Sequence, residues 1–231
     1  MIDAEFDDLE LNYAAFLPAD RDAAILDVGC GTGRVLAFLS AKGFQRLEGF
    51  DRDPEAIAVA RTRSAATLHV AENWPDFLSG RAAAYDCIVL KDVIYYVPRE
   101  RAVEWLTAVR RALKPGGRVI VETFNGASFT GPFVAHKDEA ILWIVTERTL
   151  RKFLERAGFT AVTLLPQRPP QRTIRRRLFN LAGFVWRGVL RAIYFAERGL
   201  AEENPRIFTT RIIAVGTADG SAGAPPHVPR H

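Results

Sequence analysis

Apolar residues along this chain fall into two kinds of segment. Short continuous apolar runs are typical of buried strands, and longer segments with apolar residues every three or four positions are typical of amphipathic helices. The two kinds alternate, which predicts a three-layer α/β/α fold with helices on both faces of a mostly parallel sheet. The predicted strands are residues 25–28, 46–50, 67–70, 85–90, 118–123, 159–164 and 207–216.

A glycine-rich turn follows the first predicted strand, where the sequence reads Asp27-Val28-Gly29-Cys30-Gly31-Thr32-Gly33 before a helical pattern begins. A turn without side chains lets a ligand lie against the backbone, close to the amide groups at the start of a helix. A dinucleotide fingerprint would read G-x-G-x-x-G, with an acid about 20 residues later. Here the glycines read G-x-G-x-G and the acid precedes them, which argues against a nicotinamide cofactor and an oxidoreductase.

A second acid, Asp51, follows the second predicted strand. A carboxylate at this end of such a sheet can accept hydrogen bonds from both hydroxyls of a ribose. Asp53 and Pro54 already supply the cap and first position of the next helix, which leaves Asp51 for a ligand.

These motifs, with Leu113-Lys114-Pro115-Gly116-Gly117 before the fifth predicted strand, resemble those of the class I S-adenosylmethionine-dependent methyltransferases. The resemblance extends over residues 25–123. It implies a Rossmann-like methyltransferase fold, a seven-stranded mostly parallel sheet with an antiparallel last strand, and S-adenosyl-L-methionine as the cofactor.

The resemblance also implies a set of cofactor-binding residues. The family places polar and apolar side chains beside the adenine after the third strand, although its usual Asp is missing here, and a tyrosine of the leading segment often closes over the cofactor. The resulting candidates are Asp27, Gly29, Gly31, Gly33, Asp51, Arg52, Glu72, Asn73, Trp74, Lys91 and Tyr13.

The segment after the fourth predicted strand, Lys91-Asp92-Val93-Ile94-Tyr95-Tyr96, resembles the family's fourth motif. A ubiquinone-pathway-like subset carries Glu-Val-Leu-Glu-His-Val there, so Asp92 keeps the first acid while two tyrosines replace the other acid and the histidine. An acid with two phenols is a poor metal site, and we expect no metal. Asp92 and His136, in the long connection 124–146, are the candidate catalytic bases, with Glu139 and Glu122 behind them.

The domain organisation predicted from the sequence has four parts. A helical leader (1–22) precedes a methyltransferase domain (23–164 and 206–217), which a basic helical insertion (165–205) interrupts, and a disordered tail (218–231) follows. The insertion carries a helix over about 172–200 and no acid between Arg156 and Glu197. Such a helix could pack on the domain or a second subunit, lie on an anionic membrane, or hold substrate phosphates. Nucleic acid is not an expected partner.

The composition of the 231-residue chain is that of an ordinary globular protein, with a formal net charge of +4 and two cysteines in predicted core segments. The acidic N-terminus lacks the apolar core of a signal peptide. We therefore expect a cytoplasmic protein with reduced thiols, and contact with the inner membrane surface stays open.

The layout of the loop after strand five, the basic insertion and the closing strand is similar to that of methyltransferase-domain proteins of bacterial surface-polysaccharide biosynthesis. It implies O-methylation of a small-molecule acceptor, a sugar or a lipid-linked glycan. The alternative is a non-catalytic scaffold that binds the cofactor, or a membrane-surface interaction protein on the same fold.

Overall fold

The computed structural model describes residues 4–170, 173–199 and 201–218, which contain one seven-stranded sheet. The sheet has the order β3-β2-β1-β4-β5-β7-β6, in which β7 runs antiparallel to β5 and β6 and the other neighbouring pairs are parallel. The predicted mostly parallel sheet with an antiparallel last strand is confirmed. The strands are β1 (Ala24–Val28), β2 (Arg46–Asp51), β3 (Thr67–Val70), β4 (Tyr85–Lys91), β5 (Leu113–Phe124), β6 (Phe159–Pro166) and β7 (Arg211–Ala218).

Helices connect the strands, and the strand order reverses its direction between β1 and β4. Ligands of open α/β sheets bind at the carboxyl ends of the strands at such a reversal. The α-helices of the described residues are α1 (Asp7–Tyr13), α2 (Arg34–Ala41), α3 (Pro54–Arg63), α4 (Trp74–Leu78), α5 (Ala102–Ala112), α6 (Gly131–His136), α7 (Glu147–Arg156) and α8 (Ile174–Arg198).

The core fills both faces of the sheet. On β1, Leu26 packs into the cluster that includes Leu106 of α5, whereas Ile25 packs into the opposite cluster with Phe38 of α2. Successive strand residues point to opposite faces, so a strand covered by helices on both sides must be apolar at consecutive positions. This explains the continuous apolar runs of the central strands.

Three segments differ from the sequence prediction in their local structure. The predicted leading helix is α1 between two short 3₁₀ turns, Ala4–Phe6 and Ala14–Phe16. The segment after β3, for which no helix is predicted, contains the one-turn helix α4, and the long connection 124–146 contains α6.

The strand boundaries also shift. β5 begins at Leu113, so the predicted Lys-Pro-Gly-Gly turn lies inside it as an irregularity, and the pairing with β4 jumps from Tyr85↔Leu113 to Cys87↔Arg118. β7 begins at Arg211 rather than 207, because the Asn125 amide binds the carbonyls of Ile207 and Thr209 at 2.8 and 2.9 Å and holds this segment away from the sheet. Ala218 belongs to β7, and the rest of the predicted tail lies outside the described residues.

Candidate active site

The glycine turn between β1 and α2 is tightly packed. A Cβ atom at Gly29 would lie 2.2 Å from Val93 Cγ1, and one at Gly33 would lie 2.8 Å from Ala60 Cβ of α3. At Gly31 nothing lies within 4 Å of such an atom, so the middle of the turn is open. The turn is therefore closely packed against the protein at Gly29 and Gly33 and leaves room for a ligand at Gly31.

Asp51 lies at the C-terminal end of β2, and backbone amides orient its carboxylate. Gly31 N donates to Asp51 Oδ2 at 2.8 Å, and Asp53 N donates to Asp51 Oδ1 at 3.0 Å. Each oxygen keeps a second lone pair, so the carboxylate can accept one more hydrogen bond on each side. This arrangement suits a vicinal diol such as a ribose.

Asp27 is a buried carboxyl group with an unused acceptor. Its residue is 1% exposed, and its Oδ2 atom has no hydrogen-bond partner in the structure. Burial and the nearby Asp51 carboxylate raise the pKa of Asp27 to about 8, although the charge of Lys91 acts in the opposite direction. A buried polar atom without a partner is unfavourable unless a ligand satisfies it, so this position fits a cationic group of a bound molecule.

A cleft of about 400 Å³ opens at the carboxyl ends of β1, β2 and β4. Val93, Tyr96, Val97 and Trp105 give it an apolar wall, and the Trp105 ring meets the Trp74 ring edge-on at 5.3 Å. The structure brings these predicted site residues together in the lining: Gly29, Asp51, Arg52, Glu72, Trp74, Lys91 and Asp92.

Asp27, Gly31 and Gly33, in β1 and the glycine turn, are not part of this lining. Three further candidates, Asn73, Tyr13 and His136, also lie outside it. The Asn73 side chain caps α4, since its Oδ1 accepts from Asp76 N at 3.0 Å and its Nδ2 donates to Asp76 Oδ2. Tyr13 is fully buried and donates to Glu122 Oε2 at 2.6 Å; burial and Glu122 raise the pKa of Tyr13 well above its usual range. His136 is exposed at the C-terminal end of α6.

A network of four charged groups lies beside the cleft, where β4, β5 and β7 meet. Lys91 Nζ lies 2.6 Å from Asp92 Oδ2 and 3.6 Å from Glu122 Oε1. Arg211 donates to Asp92 and to Glu122, the latter at 3.4 Å. Burial alone would raise the pKa of Asp92, but the charges of Arg211 and Lys91 outweigh it and hold the pKa below its usual range.

Arg211 is a site residue that the sequence analysis missed. It is the first residue of β7, more than a hundred positions after Asp92, and its only sequence signal is a charge at the start of an apolar run. Its guanidinium lies 4.4 Å from the Phe124 ring centroid, and Tyr95 stacks on the same ring at 5.1 Å.

The connection 124–146 covers this aromatic group. Val134 of α6 and Ile141 pack on Tyr95 and Phe124, and Leu142 N donates to Tyr95 O at 3.0 Å. This long connection is therefore anchored beside the charged network.

Comparison with known proteins gives one family. Residues 4–164 match the model of a methyltransferase domain family. A ubiquinone biosynthesis O-methyltransferase of Xylella fastidiosa is 32% identical over 127 residues, which are 51% of this chain and 48% of that protein. The chain thus spans about half the length of this curated relative.

Solved structures share the fold at low sequence identity. A methyltransferase from Archaeoglobus fulgidus, described as SAM dependent, has a TM-score of 0.66 at 16% identity and covers 91% of this chain and 92% of its own. Phosphoethanolamine N-methyltransferase 2 of Haemonchus contortus, solved with S-adenosyl-L-methionine, has a TM-score of 0.58 at 16% identity, over 92% of this chain and 51% of its own.

Proposed function

The chain belongs to the class I S-adenosylmethionine-dependent methyltransferase family, and on this premise we propose that it is an enzyme that transfers a methyl group from S-adenosyl-L-methionine to an oxygen atom of a small-molecule acceptor. The observation that carries the proposal is the pair of acids at the glycine turn, Asp27 with an unsatisfied buried oxygen and Asp51 with two oriented ones. The O-methyltransferase relative supports oxygen as the acceptor atom.

The residues around the cleft fit this cofactor. Asp51 would accept the ribose hydroxyls, Asp27 would accept from the ammonium group, and Trp74 with Glu72 would flank the adenine. S-adenosylmethionine supplies a methyl group that is already activated for transfer. The protein therefore has to orient the acceptor and exclude water, which can account for much of the acceleration.

Asp92 is a weak base for the acceptor hydroxyl. Its two cationic partners keep it ionised at neutral pH and lower its affinity for a proton. A weak base suits an acceptor whose hydroxyl is itself acidic, such as a phenol, better than a sugar hydroxyl. The rings of Tyr96 and Trp105 in the apolar wall of the cleft also suit an aromatic acceptor. The sugar or glycan acceptor stays a prediction from the sequence layout, and so do the roles of His136 and Asp92 as bases.

Product formation with a panel of acceptors tests the proposal. The full chain would be assayed for S-adenosylhomocysteine release with catechol-type phenols, nucleotide sugars and lipid-linked glycans. We expect turnover with phenols, a decrease of about tenfold in Asp92→Asn at unchanged cofactor affinity, and no change in the exposed control Glu100→Gln. His136→Ala tests the second base in the same assay.

Cofactor binding without turnover on any acceptor would contradict the proposal that the protein is an enzyme and would favour the alternative of a non-catalytic scaffold. Turnover with sugars alone would contradict the acidic acceptor and support the prediction from the sequence layout.

A further inference from the structure

The 25-residue helix α8 turns its polar side toward the protein. Asn180 Nδ2 donates to Pro170 O at 3.5 Å, Arg191 donates to Arg206 O at 3.0 Å, and the ring of Tyr194 meets that of Phe208 at 5.3 Å. Leu190 is its one buried apolar residue. An ordinary surface helix does the opposite and buries its apolar stripe.

The side of α8 that points away from the protein is apolar and exposed. Its residues recur at three- and four-residue steps on one side of the helix, and each is at least 43% exposed: Ile174, Leu178, Leu181, Val185, Trp186, Val189 and Ile193. We call these residues the outer apolar face. A continuous exposed apolar surface of this kind marks an interaction site in a soluble domain.

The apolar surface continues onto a second element. Phe129 is 68% exposed, and its ring meets that of Trp186 edge-on at 5.2 Å. Phe133, in α6, is 70% exposed. The connection 124–146, which carries both phenylalanines, also packs on Tyr95 and Phe124, so this apolar surface continues toward the charged network.

The charged residues of α8 that precede Glu197 are all basic. The chain has no acidic residue from 157 to 196, and Arg175, Arg176 and Arg177 are all exposed at the N-terminal end of α8. A second copy paired through the same helix would bring arginines close to arginines, which is unfavourable. An anionic lipid surface complements both the charge and the apolar side chains.

We propose that α8 lies flat on an anionic membrane surface, with the outer apolar face at the boundary between headgroups and acyl chains and the flanking arginines at the lipid phosphates. Arginine stems can extend along apolar surface while the guanidinium reaches the phosphate. Within the described residues, no helix has the length and apolarity needed to cross a bilayer. This docking is independent of the proposed methyl transfer.

Vesicle co-sedimentation of the full chain tests the docking. We expect binding to vesicles of phosphatidylglycerol mixed with phosphatidylcholine, weakening as salt rises, and much less binding to phosphatidylcholine alone. Val185→Glu, at the centre of the outer apolar face, should weaken binding about tenfold, and Arg175→Gln, at the N-terminal end of the same side of the helix, should weaken it about fivefold. Val59→Glu, at an exposed position of α3, is the matched control and should bind as the parent does.

Melting temperature and cofactor affinity, which these exposed substitutions should leave unchanged, report the fold of each variant. Equal vesicle binding by Val185→Glu and Val59→Glu would overturn the proposal. Equal binding to vesicles with and without phosphatidylglycerol would overturn it as well. A dimer in light scattering that Val185→Glu dissociates, together with no vesicle binding, would assign the face to a second copy and overturn it equally.

Discussion

Asp27 illustrates how a single residue can lower stability for the sake of a ligand. Its carboxyl group is buried with one oxygen unpaired, and its pKa lies at about 8 in the folded chain against an ordinary 3.8. Between about pH 4 and pH 8, the Asp27 carboxyl group is therefore protonated in the folded state and ionised in the unfolded state. The contribution of this protonated group to the free energy of unfolding is fully present below about pH 4 and is lost as the pH rises through about 8.

Asp27→Asn should therefore stabilise the ligand-free protein at pH 8 while weakening S-adenosylmethionine binding. We expect a gain of about 3 kcal/mol in the free energy of unfolding, as an order of magnitude, and a flatter pH dependence between about 4 and 8. Denaturant titrations at several pH values, with calorimetric binding, measure both effects. An Asn variant with the parent's pH dependence would show that this carboxyl does not titrate as described.

Arg211 stabilises two carboxylates that would otherwise be partly buried beside one lysine. Arg211→Leu removes one of the two cations beside Asp92 and Glu122 and leaves Lys91, while Tyr13 still donates to Glu122. The variant should be destabilised by about 3 kcal/mol at pH 7. Because the folded pKa of Asp92 is lowered in the parent, this stabilisation is present above its ordinary value and lost as pH falls through the folded one. The difference between parent and variant should shrink in acid.

Thermal unfolding at pH 7 and at acidic pH measures this difference. Arg46→Leu, at an exposed position, is the control and should change stability by less than about 0.5 kcal/mol. A deficit in Arg211→Leu that grows as pH falls would contradict the assigned ion pairs.

The site shows which residues a sequence can identify. Asp27 and Asp51 can be identified from the sequence because their neighbours in the chain define them: Asp27 precedes a glycine turn and Asp51 follows a strand. Arg211 was not, since only the folding of β7 between β5 and β6 brings it to Asp92. Asn73 was predicted to bind the cofactor, but its neighbours carry a different local signal. Asn73-Trp74-Pro75 is typical of a helix start, and in the structure the Asn73 side chain caps α4.

At the scale of elements, long periodic segments were predictable and short helices were not. The alternation of apolar runs and amphipathic segments determines the strands and α2, α3, α5 and α7 to within a few residues. α4 and α6 have only five and six residues, too few for a periodic pattern. The Asn73 cap and packing on Trp105 hold α4, and packing on Tyr95 and Phe124 holds α6. Such helices depend on tertiary contacts more than on local propensity.

The contact between α2 and α3 passes through one glycine. Gly33 has a φ of +78°, and a Cβ atom there would lie 3.0 Å from the Ala60 Cα atom as well as 2.8 Å from its Cβ. Gly33→Ala should destabilise the protein by about 3 kcal/mol, through backbone strain and the displacement of α3.

Gly43→Ala separates these two effects. Gly43 has a similar φ of +88°, but nothing lies within 4 Å of an added Cβ atom. The expected loss in the free energy of unfolding is the strain alone, about 1 kcal/mol. Equal losses in the two variants would contradict the close contact between α2 and α3.

At the scale of the whole molecule, the orientation of α8 was the feature that the sequence left open. The polar stripe through Asn180, Arg187 and Arg191 was visible in the helical pattern. Whether a stripe faces solvent or the protein depends on which side of the helix packs on the domain. The partners that set this side, such as Pro170, Arg206 and Phe208, lie in the irregular segments before and after the helix, whose path the helical pattern does not predict. The sequence alone therefore does not decide among packing on the domain or a second subunit, contact with an anionic membrane, and binding of substrate phosphates.

The central claim is that the glycine turn, Asp27 and Asp51 together form a site for S-adenosylmethionine. Isothermal titration of the full chain with S-adenosylmethionine, S-adenosylhomocysteine and NAD tests it most directly, with Asp51→Ala and the exposed control Asp22→Ala alongside. We expect binding of both adenosyl ligands in the micromolar range, a loss of about a hundredfold in Asp51→Ala, parent-like binding in Asp22→Ala, and no binding of NAD. Binding of NAD, or unchanged adenosyl binding in a folded Asp51→Ala variant, would contradict it.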